Sequence, residues 1–332
     1  MAKANRLALL VLVVLSLAAF AAAQSYTITD LGPGGANAIN SLGDVAIGVG
    51  NGTNSFVWSP GGSLLALAPL AGDSSTVPLG INRNGLAVGA SFTGNLSSAV
   101  LWTNGAPLDL GTLGGTTSVA TGINASGEVT GSSAIPSSTA AEAFLWTKAT
   151  GMQGLGFLPG DDFSAASAIN RFGQVVGTSA GANGSYAFIW SKTTGMKDLG
   201  KLPGGAFSSA SAINDLSQVA GYSNCGTGCD HSVLWSKAKG SMLDLGLLPG
   251  GVESYAQGIN NASQVVGVVY YGPNRFHPFV WSPSTGMFDL NNLIPANSGW
   301  LLQFANAIND QGQIVGQGTF NGQSEAFLLT LQ

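Results

Sequence analysis

The dipeptide Ile-Asn returns seven times along this 332-residue chain, each time with Gly or Ser three residues after the Asn. The repeated residues are Asn40, Asn82, Asn124, Asn170, Asn214, Asn260 and Asn309. Their successive spacings are 42, 42, 46, 44, 46 and 49 residues, which is the length of one four-stranded blade. The repeat therefore predicts seven similar units.

The block between residues 164 and 202 shows four apolar segments of strand length and none of helix length. The segments are Ser164–Asn170, Gln174–Gly177, Tyr186–Trp190 and Met196–Gly200. Between the first two, Asn-x-x-Gly is typical of a tight turn, because Asn tolerates left-handed angles and Gly adopts them freely. Each block is thus predicted to form four antiparallel strands in an all-β protein.

The two ends of the repeat region are complementary. The last block, residues 304–332, has strands one to three only, whereas Tyr26–Gly32 is a copy of strand four with no block ahead of it. Pairing of the two would close a ring and remove the exposed sheet edges. We therefore predict a seven-bladed β-propeller over residues 24–332, closed by the N-terminal strand. The rival architecture is an open solenoid, which normally carries polar caps.

The first 23 residues have the pattern of a secretory signal peptide. Lys3 and Arg6 precede an apolar run from Leu7 to Phe20, and small residues end at Ala23, where cleavage is expected. An uncleaved membrane anchor is the alternative, but the run is at the short limit for spanning a bilayer. We expect a secreted protein, located outside the cell, at its surface or in the periplasm, with no membrane insertion after cleavage.

Charge argues against nucleic acid as a partner. The chain has 11 basic and 16 acidic side chains, and loss of Lys3 and Arg6 leaves 9 against 16, a net charge of about −7. Nucleic-acid affinity depends on clustered Lys and Arg that neutralise phosphates, and the sequence has no such cluster. An extracellular glycan or a surface protein is the partner class that remains.

The repeat motifs resemble the HAF repeat family of extracellular repeat proteins, which is named for a His-Ala-Phe in the third strand. The shared motifs are Ile-Asn-x-x-Gly-Gln-Val-Val-Gly, Ala-Phe-Leu-Trp and Gly-Met-x-Asp-Leu-Gly-x-Leu-Pro-Gly-Gly, and they cover residues 26–332. The His-Ala-Phe sequence itself is not complete in any block of this chain. Its His is replaced by Glu142, Tyr186 and Glu325 in three blocks, while two blocks keep the His, as His231 and His277, without the Ala. The resemblance implies export and the repeat architecture, and no activity.

Two residue types recur once per block. A Trp closes the third strand in six blocks, at Trp58, Trp102, Trp146, Trp190, Trp235 and Trp281. One ring per blade at one strand position favours packing between sheets over sugar stacking. An Asp precedes Leu in strand four of five blocks, at Asp30, Asp109, Asp198, Asp244 and Asp289, where a carboxylate accepting local backbone donors is favoured over a cation ligand.

Cys225 and Cys229 are the only cysteines of the chain. In an exported protein, a pair separated by three small residues predicts a local disulfide. A metal site that adds Asp230 and His231 is the alternative. We otherwise find no nucleotide-binding, EF-hand or zinc-protease pattern, so neither a cofactor nor a metal is predicted.

The connections between strands two and three vary most from block to block, and loops on a rigid scaffold are where binding is usually placed. They share one predicted face with the Pro-Gly-Gly connections between blades. The richest part of this loop face comprises Asp161, Asp162, Phe163, Tyr222, Asp230, His231, Tyr270, Tyr271, Arg275 and His277. Aromatic rings beside acids and amides can hold sugars, although ordinary exposed loops have the same composition.

The sequence leaves three functions open. The leading hypothesis is a secreted, non-catalytic binding or scaffold protein that holds a glycan or protein on its loop face. The second is a secreted polysaccharide hydrolase or lyase, for which Asp161, Asp162 and Asp230 are the candidate acids. The third is a purely structural component of a surface layer or matrix. No linear catalytic motif supports the second hypothesis.

Overall fold

The computed structural model describes residues 25–49, 55–136, 140–226, 228–236 and 241–332. They form seven four-stranded antiparallel sheets. The first strands of neighbouring sheets contact one another in a closed cycle, so they surround a central axis. The predicted seven-bladed β-propeller is confirmed, and the open solenoid is wrong. The predicted signal peptide, residues 1–23, and the predicted loop from Asn51 to Asn54 lie outside the described residues.

Blades 1 to 4 each run from an inner to an outer strand in chain order. Blade 1 contains β2 (Gly35–Ile39), β3 (Val45–Gly48), β4 (Phe56–Ser59) and β5 (Ser63–Ala66). Blade 2 contains β6 (Ser75–Ile81), β7 (Ala87–Thr93), β8 (Leu96–Thr103) and β9 (Ala106–Asp109). Blade 3 contains β10 (Ser118–Ile123), β11 (Val129–Ala134), β12 (Ala141–Thr147) and β13 (Gly151–Gly154). Blade 4 contains β14 (Asp161–Ile169), β15 (Val175–Gly181), β16 (Gly184–Ser191) and β17 (Gly195–Asp198).

The remaining blades follow the same order, except that blade 7 takes its outer strand from the other end of the chain. Blade 5 contains β18 (Ser208–Ile213), β19 (Gln218–Asn224), β20 (Asp230–Ser236) and β21 (Ser241–Gly246). Blade 6 contains β22 (Glu253–Ile259), β23 (Val265–Tyr270), β24 (Phe276–Ser282) and β25 (Gly286–Asp289), followed by a 3-10 turn, Leu290–Asn292. Blade 7 contains β26 (Trp300–Ile308), β27 (Ile314–Phe320), β28 (Gln323–Leu331) and β1 (Tyr26–Pro33). Within the described ranges, no helix has the length and apolarity needed to cross a membrane.

The ring is closed where β1 pairs antiparallel with β28, from Tyr26 opposite Leu331 to Pro33 opposite Glu325. Tyr26 is fully buried in the core between blades 6 and 7, and burial raises the pKa of its hydroxyl to about 12. The first and last described residues meet as well, because the Gln332 N–H donates to the Ser25 carbonyl at 3.0 Å. Closure by the N-terminal strand is therefore confirmed.

The seven repeated Asn side chains form a second closed cycle, around the axis. Each is nearly fully buried, and each Nδ2 donates to the backbone carbonyl of the repeated Asn in the next blade at 3.0 to 3.2 Å. The last bond, from Asn309 to Asn40, joins blade 7 to blade 1. We call these residues the asparagine ring. Because every bond crosses a blade boundary, the ring ties all seven blades together.

The same side chain shapes the turn between the first two strands of each blade. In blade 4, Oδ1 of Asn170 accepts from the N–H groups of Phe172 and Gln174, both at 3.1 Å. The third residue after the Asn has a positive φ in every blade, and it is Gly except at Ser217 and Ser263. The hydroxyls of these two serines donate to Gln174 and Gln218 of the preceding blade, a contact between blades that Gly cannot make.

The strand-two motif Val-Val-Gly follows from the shape of the inner strand. In blade 4 the register of β14 shifts between Ala166 and Ala168, which marks a bulge. There the backbone of β14 approaches β15 so closely that a Cβ on Gly177 would overlap the Ala165 carbonyl oxygen. A glycine at this position permits the close approach of the two strands.

The recurring Trp residues pack between blades. Trp102 is fully buried, and Trp146, Trp235 and Trp281 are nearly so. Each belongs to a core cluster that combines residues of its own blade with residues of the preceding one. One large ring per interface fills the gap between two twisted sheets.

Candidate ligand-binding face

The connections between strands two and three are shorter than the sequence predicts, because in most blades these two strands extend into the predicted loops. Tyr222 lies in β19, Asp230 and His231 lie in β20, Tyr270 lies in β23 and His277 lies in β24. The trio Asp161, Asp162 and Phe163 opens β14. Among the predicted binding residues, only Tyr271 and Arg275 lie between strands. Eight of the ten predicted residues therefore belong to strands, where sheet hydrogen bonds hold most of their backbone.

Six aromatic rings contact one another in a row from blade 5 to blade 7. We call this row the aromatic arc, and its members in order of contact are Phe207, Tyr222, Tyr255, Tyr270, Phe276 and Phe304. Neighbouring ring centroids lie 6.4, 4.8, 5.3, 5.0 and 5.1 Å apart in that order. All six side chains are half-buried, so each ring keeps an accessible surface.

The blade framework sets the positions of these rings. Within blade 6, Glu253 of β22 is opposite Tyr270 of β23, and Tyr270 is in turn opposite Phe276 of β24. Tyr255 lies two residues after Glu253 on the same side of the strand and meets Tyr222 of blade 5. Since each ring belongs to a paired strand or its border, the arc is a rigid feature of three adjacent sheets.

Two carboxylates lie against the middle of the arc. The Tyr255 hydroxyl is 2.9 Å from Asp230 Oδ2 and 3.0 Å from Glu253 Oε2. Burial and these two acids raise the pKa of Tyr255, so the hydroxyl stays protonated. One hydroxyl carries a single hydrogen and therefore donates to one of the two acids at a time. The pair thus retains acceptor capacity beside exposed ring surface.

A groove of about 380 Å³ lies at the blade 6 part of the arc. It is lined by Val252, Glu253, Tyr270, Gly272, Pro273, Asn274 and Phe276. Burial and the charge of Glu253 raise the pKa of Tyr270, which keeps this hydroxyl neutral too. The groove offers ring faces, a phenol and a carboxylate in one depression.

The other predicted residues in blade 6 form a separate cluster. The Tyr271 ring lies 4.6 Å from the His277 ring and 5.0 Å from the Arg275 guanidinium. Nδ1 of His277 is 2.6 Å from Asp289 Oδ2. Burial is the main cause that raises the pKa of Tyr271, and the Asp289 charge adds to it. None of these residues has a ring contact with the arc.

Three predicted binding residues are engaged inside the protein. His231 pairs with Asp244 at 2.9 Å, as His277 pairs with Asp289, and the Asp161 carboxylate accepts from the Ser179 hydroxyl at 2.7 Å. Each of these three side chains already bonds to a residue of a neighbouring strand. Asp162 and Phe163 are exposed at the start of β14, in blade 4 and outside the arc.

The recurring strand-four acids accept backbone hydrogen bonds. In each acid, Oδ1 accepts from the backbone N–H of the residue two positions later, at 2.7 to 2.9 Å. The acids are Asp30, Asp109, Asp198, Asp244 and Asp289. Blade 3 has Gly154 in place of the acid. There Glu142 of the third strand fills the space and accepts from the Gly156 N–H at 2.8 Å. The carboxylate is thus supplied from the neighbouring strand.

Glu325 occupies the equivalent third-strand position in the closing blade. Burial, reinforced by the negative charge of Asp30, raises the pKa of Glu325, and its Oε2 is buried without a hydrogen-bond partner among the described residues. Blades 5 and 6 place a His beside the corresponding Asp. The outer strand pair of blade 7, β28 with β1, therefore carries two acids at the position where blades 5 and 6 carry an acid and an imidazole.

We expect Glu325→Gln to raise the Tm at pH 7 by about 2 °C, the scale of a stability gain below ~1 kcal/mol in a chain of this size. The pKa of Glu325 is higher in the folded chain than in the unfolded chain, so protonation of Glu325 favours folding. This contribution to stability is complete below the unfolded pKa near 4.5 and is lost as the pH rises through the folded pKa. The gain should therefore vanish at pH 3.5. Thermal unfolding at both pH values measures it, and Glu142→Gln, which keeps its Oε1 acceptor, is the matched control. An equal gain at both pH values would contradict the assignment.

Cys225 and Cys229 form a disulfide, with their Cα atoms 5.6 Å apart. The backbone also closes this loop, since the Cys225 N–H donates to the Cys229 carbonyl at 3.1 Å. The sulfur atoms and a ring nitrogen of His231 lie within 4.8 Å of one another, but disulfide sulfurs are not the thiolates that bind metals. The bond links the ends of β19 and β20, which carry Tyr222 and Asp230 of the candidate site.

Sequence reasoning missed five of the eight residues of this site, which comprises the six rings of the arc with Asp230 and Glu253. The missed residues are Phe207, Glu253, Tyr255, Phe276 and Phe304. A signal existed at the inner-strand position just before the buried Ala, whose place Pro78 takes in blade 2. It holds small or β-branched residues in blades 1 to 5, at Gly35, Val77, Val119, Ala165 and Ser209, and aromatic residues in blades 6 and 7. A departure from the repeat toward large rings marked the sector.

No protein-family model matches the chain, and no curated protein does. Solved structures do. Virginiamycin B lyase from Staphylococcus aureus is 12% identical over 92% of this chain and 100% of that chain, with a TM-score of 0.61. Oligogalacturonate lyase from Vibrio parahaemolyticus is 10% identical over 91% and 93%, with a TM-score of 0.58. TolB from Acinetobacter baumannii is 13% identical over 69% of this chain and 57% of that chain, with a TM-score of 0.51. At such identities the likeness shows the β-propeller fold alone.

Proposed function

We propose that the chain is a non-catalytic binding protein that holds a glycan on the aromatic arc. The observation that carries the proposal is the row of six half-buried rings with two carboxylates against its middle. Sugar rings present apolar C–H faces that pack on aromatic faces, and their hydroxyls donate to carboxylates. The arc supplies both kinds of contact along one line.

The rigidity of the arc supports binding rather than chemistry. Its residues are fixed by strand pairing across blades 5 to 7, and a preformed site spends little free energy on ordering when a ligand binds. The disulfide between Cys225 and Cys229 adds a restraint at one end of the arc. Asp161 and Asp162, two of the three candidate acids for catalysis, lie in blade 4, outside the arc that Asp230 contacts.

Charge narrows the class of glycan. Asp230 and Glu253 are acids without a Lys or Arg ion pair among the described residues. An anionic polysaccharide would bring its carboxylates or sulfates close to this pair, which like-charge repulsion opposes. The proposed ligand is therefore a neutral or amino-sugar glycan, with a surface protein as the alternative partner.

The proposed location is outside the cytoplasm. The signal-peptide pattern of residues 1–23, the disulfide and the resemblance to the HAF repeat family support export, since disulfides persist in oxidising compartments. Fractionation of cells that express the full chain tests the location, and detection of the chain in the cytoplasm with residues 1–23 retained would contradict it.

We expect Tyr270→Ala and Phe276→Ala each to weaken glycan retention about tenfold, the scale of one lost stacking contact with its buried area. The measurement is depletion of the protein by insoluble neutral glycans, amino-sugar glycans and polygalacturonate. Tyr186→Ala is the matched control, because this ring lies on the same face in blade 4 and bonds locally to the Asn183 carbonyl. All variants should keep the parental Tm to within a few degrees.

Three outcomes would overturn the proposal. If Tyr270→Ala and Phe276→Ala both retain glycan as well as the parental protein does, the aromatic arc is not the binding site. Shortening of a polysaccharide by the protein would favour the hydrolase or lyase hypothesis. Failure to retain any glycan or any surface protein would leave the purely structural role.

A further inference from the structure

A second depression lies between blades 4 and 5, away from the aromatic arc. It has a volume of about 620 Å³ and opens beside the turns of the asparagine ring, because Phe172 and Ser217 of those turns line it. We call it the blade 4–5 groove. Its size is within the range of pockets that bind small molecules.

The floor of the groove is apolar and its border is polar. The floor residues are Ile189, Leu199, Val219, Trp235 and Met242. The border carries hydroxyl groups, from Ser191, Thr193, Thr194, Ser217, Ser236 and Ser241. Phe172 lines the mouth and is 61% exposed, which leaves a large ring in contact with water. An apolar ligand would remove both the floor and this ring from water.

The Trp235 indole in the floor has an unpaired donor. Trp235 is 5% exposed, and its Nε1 is buried without an acceptor among the described residues. In blade 2 the equivalent Trp102 donates to the Ala68 carbonyl at 2.7 Å. The corresponding carbonyl before blade 5 belongs to Gly200 and accepts from the Ser208 hydroxyl instead. A buried donor without a partner is costly, and because Nε1 is closed off from solvent it reports on packing in the floor and makes no direct bond to a ligand.

Among the described lining residues, the cation is Lys197. It occupies the strand-four position at which blades 2, 5 and 6 place the apolar residues Leu108, Leu243 and Phe288. It forms no ion pair with any described residue. The neighbouring Asp198 also lines the groove but accepts from the Gly200 N–H at 2.7 Å. Lys197 therefore supplies a cationic donor on the border, beside the negative charge of Asp198.

We propose that the blade 4–5 groove binds an amphipathic carboxylic acid. Its apolar body packs on the floor and on Phe172, and its carboxylate pairs with Lys197. This site is independent of the glycan proposed for the aromatic arc, because the two sites share blade 5 but no residue of the arc lines the groove.

The test uses decanoate and decanol as probes on the full mature chain. Titration calorimetry should show saturable 1:1 binding of decanoate, weakened about tenfold by Lys197→Gln, the scale of one lost charge-assisted contact. Decanol should bind the parental protein about as weakly as decanoate binds the Lys197→Gln variant. The substitution should not change the affinity for decanol. Lys192→Gln removes the same charge from an exposed residue outside the groove and should leave both affinities unchanged.

A second readout locates the ligand. With ¹⁵N-labelled Trp, the indole resonance that disappears in Trp235→Phe should be the one that decanoate shifts most in the parental protein. Absence of binding, equal affinities for the parental protein and Lys197→Gln, or a largest shift at another Trp would each overturn the proposal. Because Lys197 is exposed, its variant tests the groove even if Trp235→Phe does not fold. Glycan retention by the arc variants is a separate measurement, so either proposal can fail alone.

Discussion

A chain that lacks residues 25–33 should lose its cooperative unfolding transition, because the free energy of unfolding should fall by more than about 5 kcal/mol, the lower end of the usual total. The deletion removes β1, and with it Tyr26 and Leu31, which are 0% and 5% exposed. Truncating one buried aromatic or aliphatic side chain already costs about 2–5 kcal/mol. Urea unfolding followed by circular dichroism measures the loss.

The deletion also creates a sheet edge. Removing β1 leaves the backbone groups of β28 unpaired along a strand that carries the buried residues Phe327, Leu328 and Leu329. Such an edge promotes association between chains, so we expect oligomers in size-exclusion chromatography. Thr29→Ala, which changes an exposed side chain of the same strand, is the control and should stay monomeric with a change below about 0.5 kcal/mol. A deletion variant that unfolds like the parental chain would contradict this account.

Asn170→Ala should lower the free energy of unfolding by about 2–4 kcal/mol, as expected when buried hydrogen-bonding groups lose their partners. The substitution removes the Nδ2 bond to the Asn214 carbonyl at 3.2 Å and the two bonds that Oδ1 accepts within the turn. Asn170→Asp keeps the acceptor for the turn but replaces the donor by a carboxylate oxygen that faces the Asn214 carbonyl and Gln174 Oε1. We expect it to lose at least as much stability as the Ala variant, because the new oxygen is buried against two acceptors.

The matched control for this prediction is Asn84→Ala. Asn84 lies in the equivalent turn of blade 2, two residues after Asn82, and donates to the Ala125 carbonyl from an exposed position. Its loss should cost less than about 0.5 kcal/mol. Equal losses for Asn84→Ala and Asn170→Ala would mean that the asparagine ring contributes nothing beyond the surface turn.

The β-propeller could be predicted from the sequence because the residues that indicate it lie close together in the chain and recur in every repeat. The Asn-x-x-Gly turn depends on residues four apart, and the complementary ends of the repeat region predicted the pairing of β1 with β28. The asparagine ring was not readable in the same way. Its bond from Asn309 to Asn40 joins residues 269 positions apart, and only the closed geometry shows that the side chain turns toward the next blade.

The candidate site was readable only in part. Tyr222, Asp230 and Tyr270 were selected because they interrupt the repeat, and the structure brings them together in the aromatic arc. Tyr255 was missed because it lies on an inner strand, which the search for variable loops passed over. His231 and His277 were selected for their chemistry, but strand pairing places each beside an Asp of the next strand, a contact between residues 12 or 13 positions apart.

A circular permutant tests closure of the ring most directly. Gln332 and Ser25 already share two hydrogen bonds, so a short Asn-Gly linker can join them as a hairpin, with new ends opened at Gly34. We expect this permutant to unfold cooperatively as a monomer at a urea midpoint no lower than that of the parental chain, while the chain without residues 25–33 does not. A misfolded permutant beside a stable deletion variant would contradict this expectation.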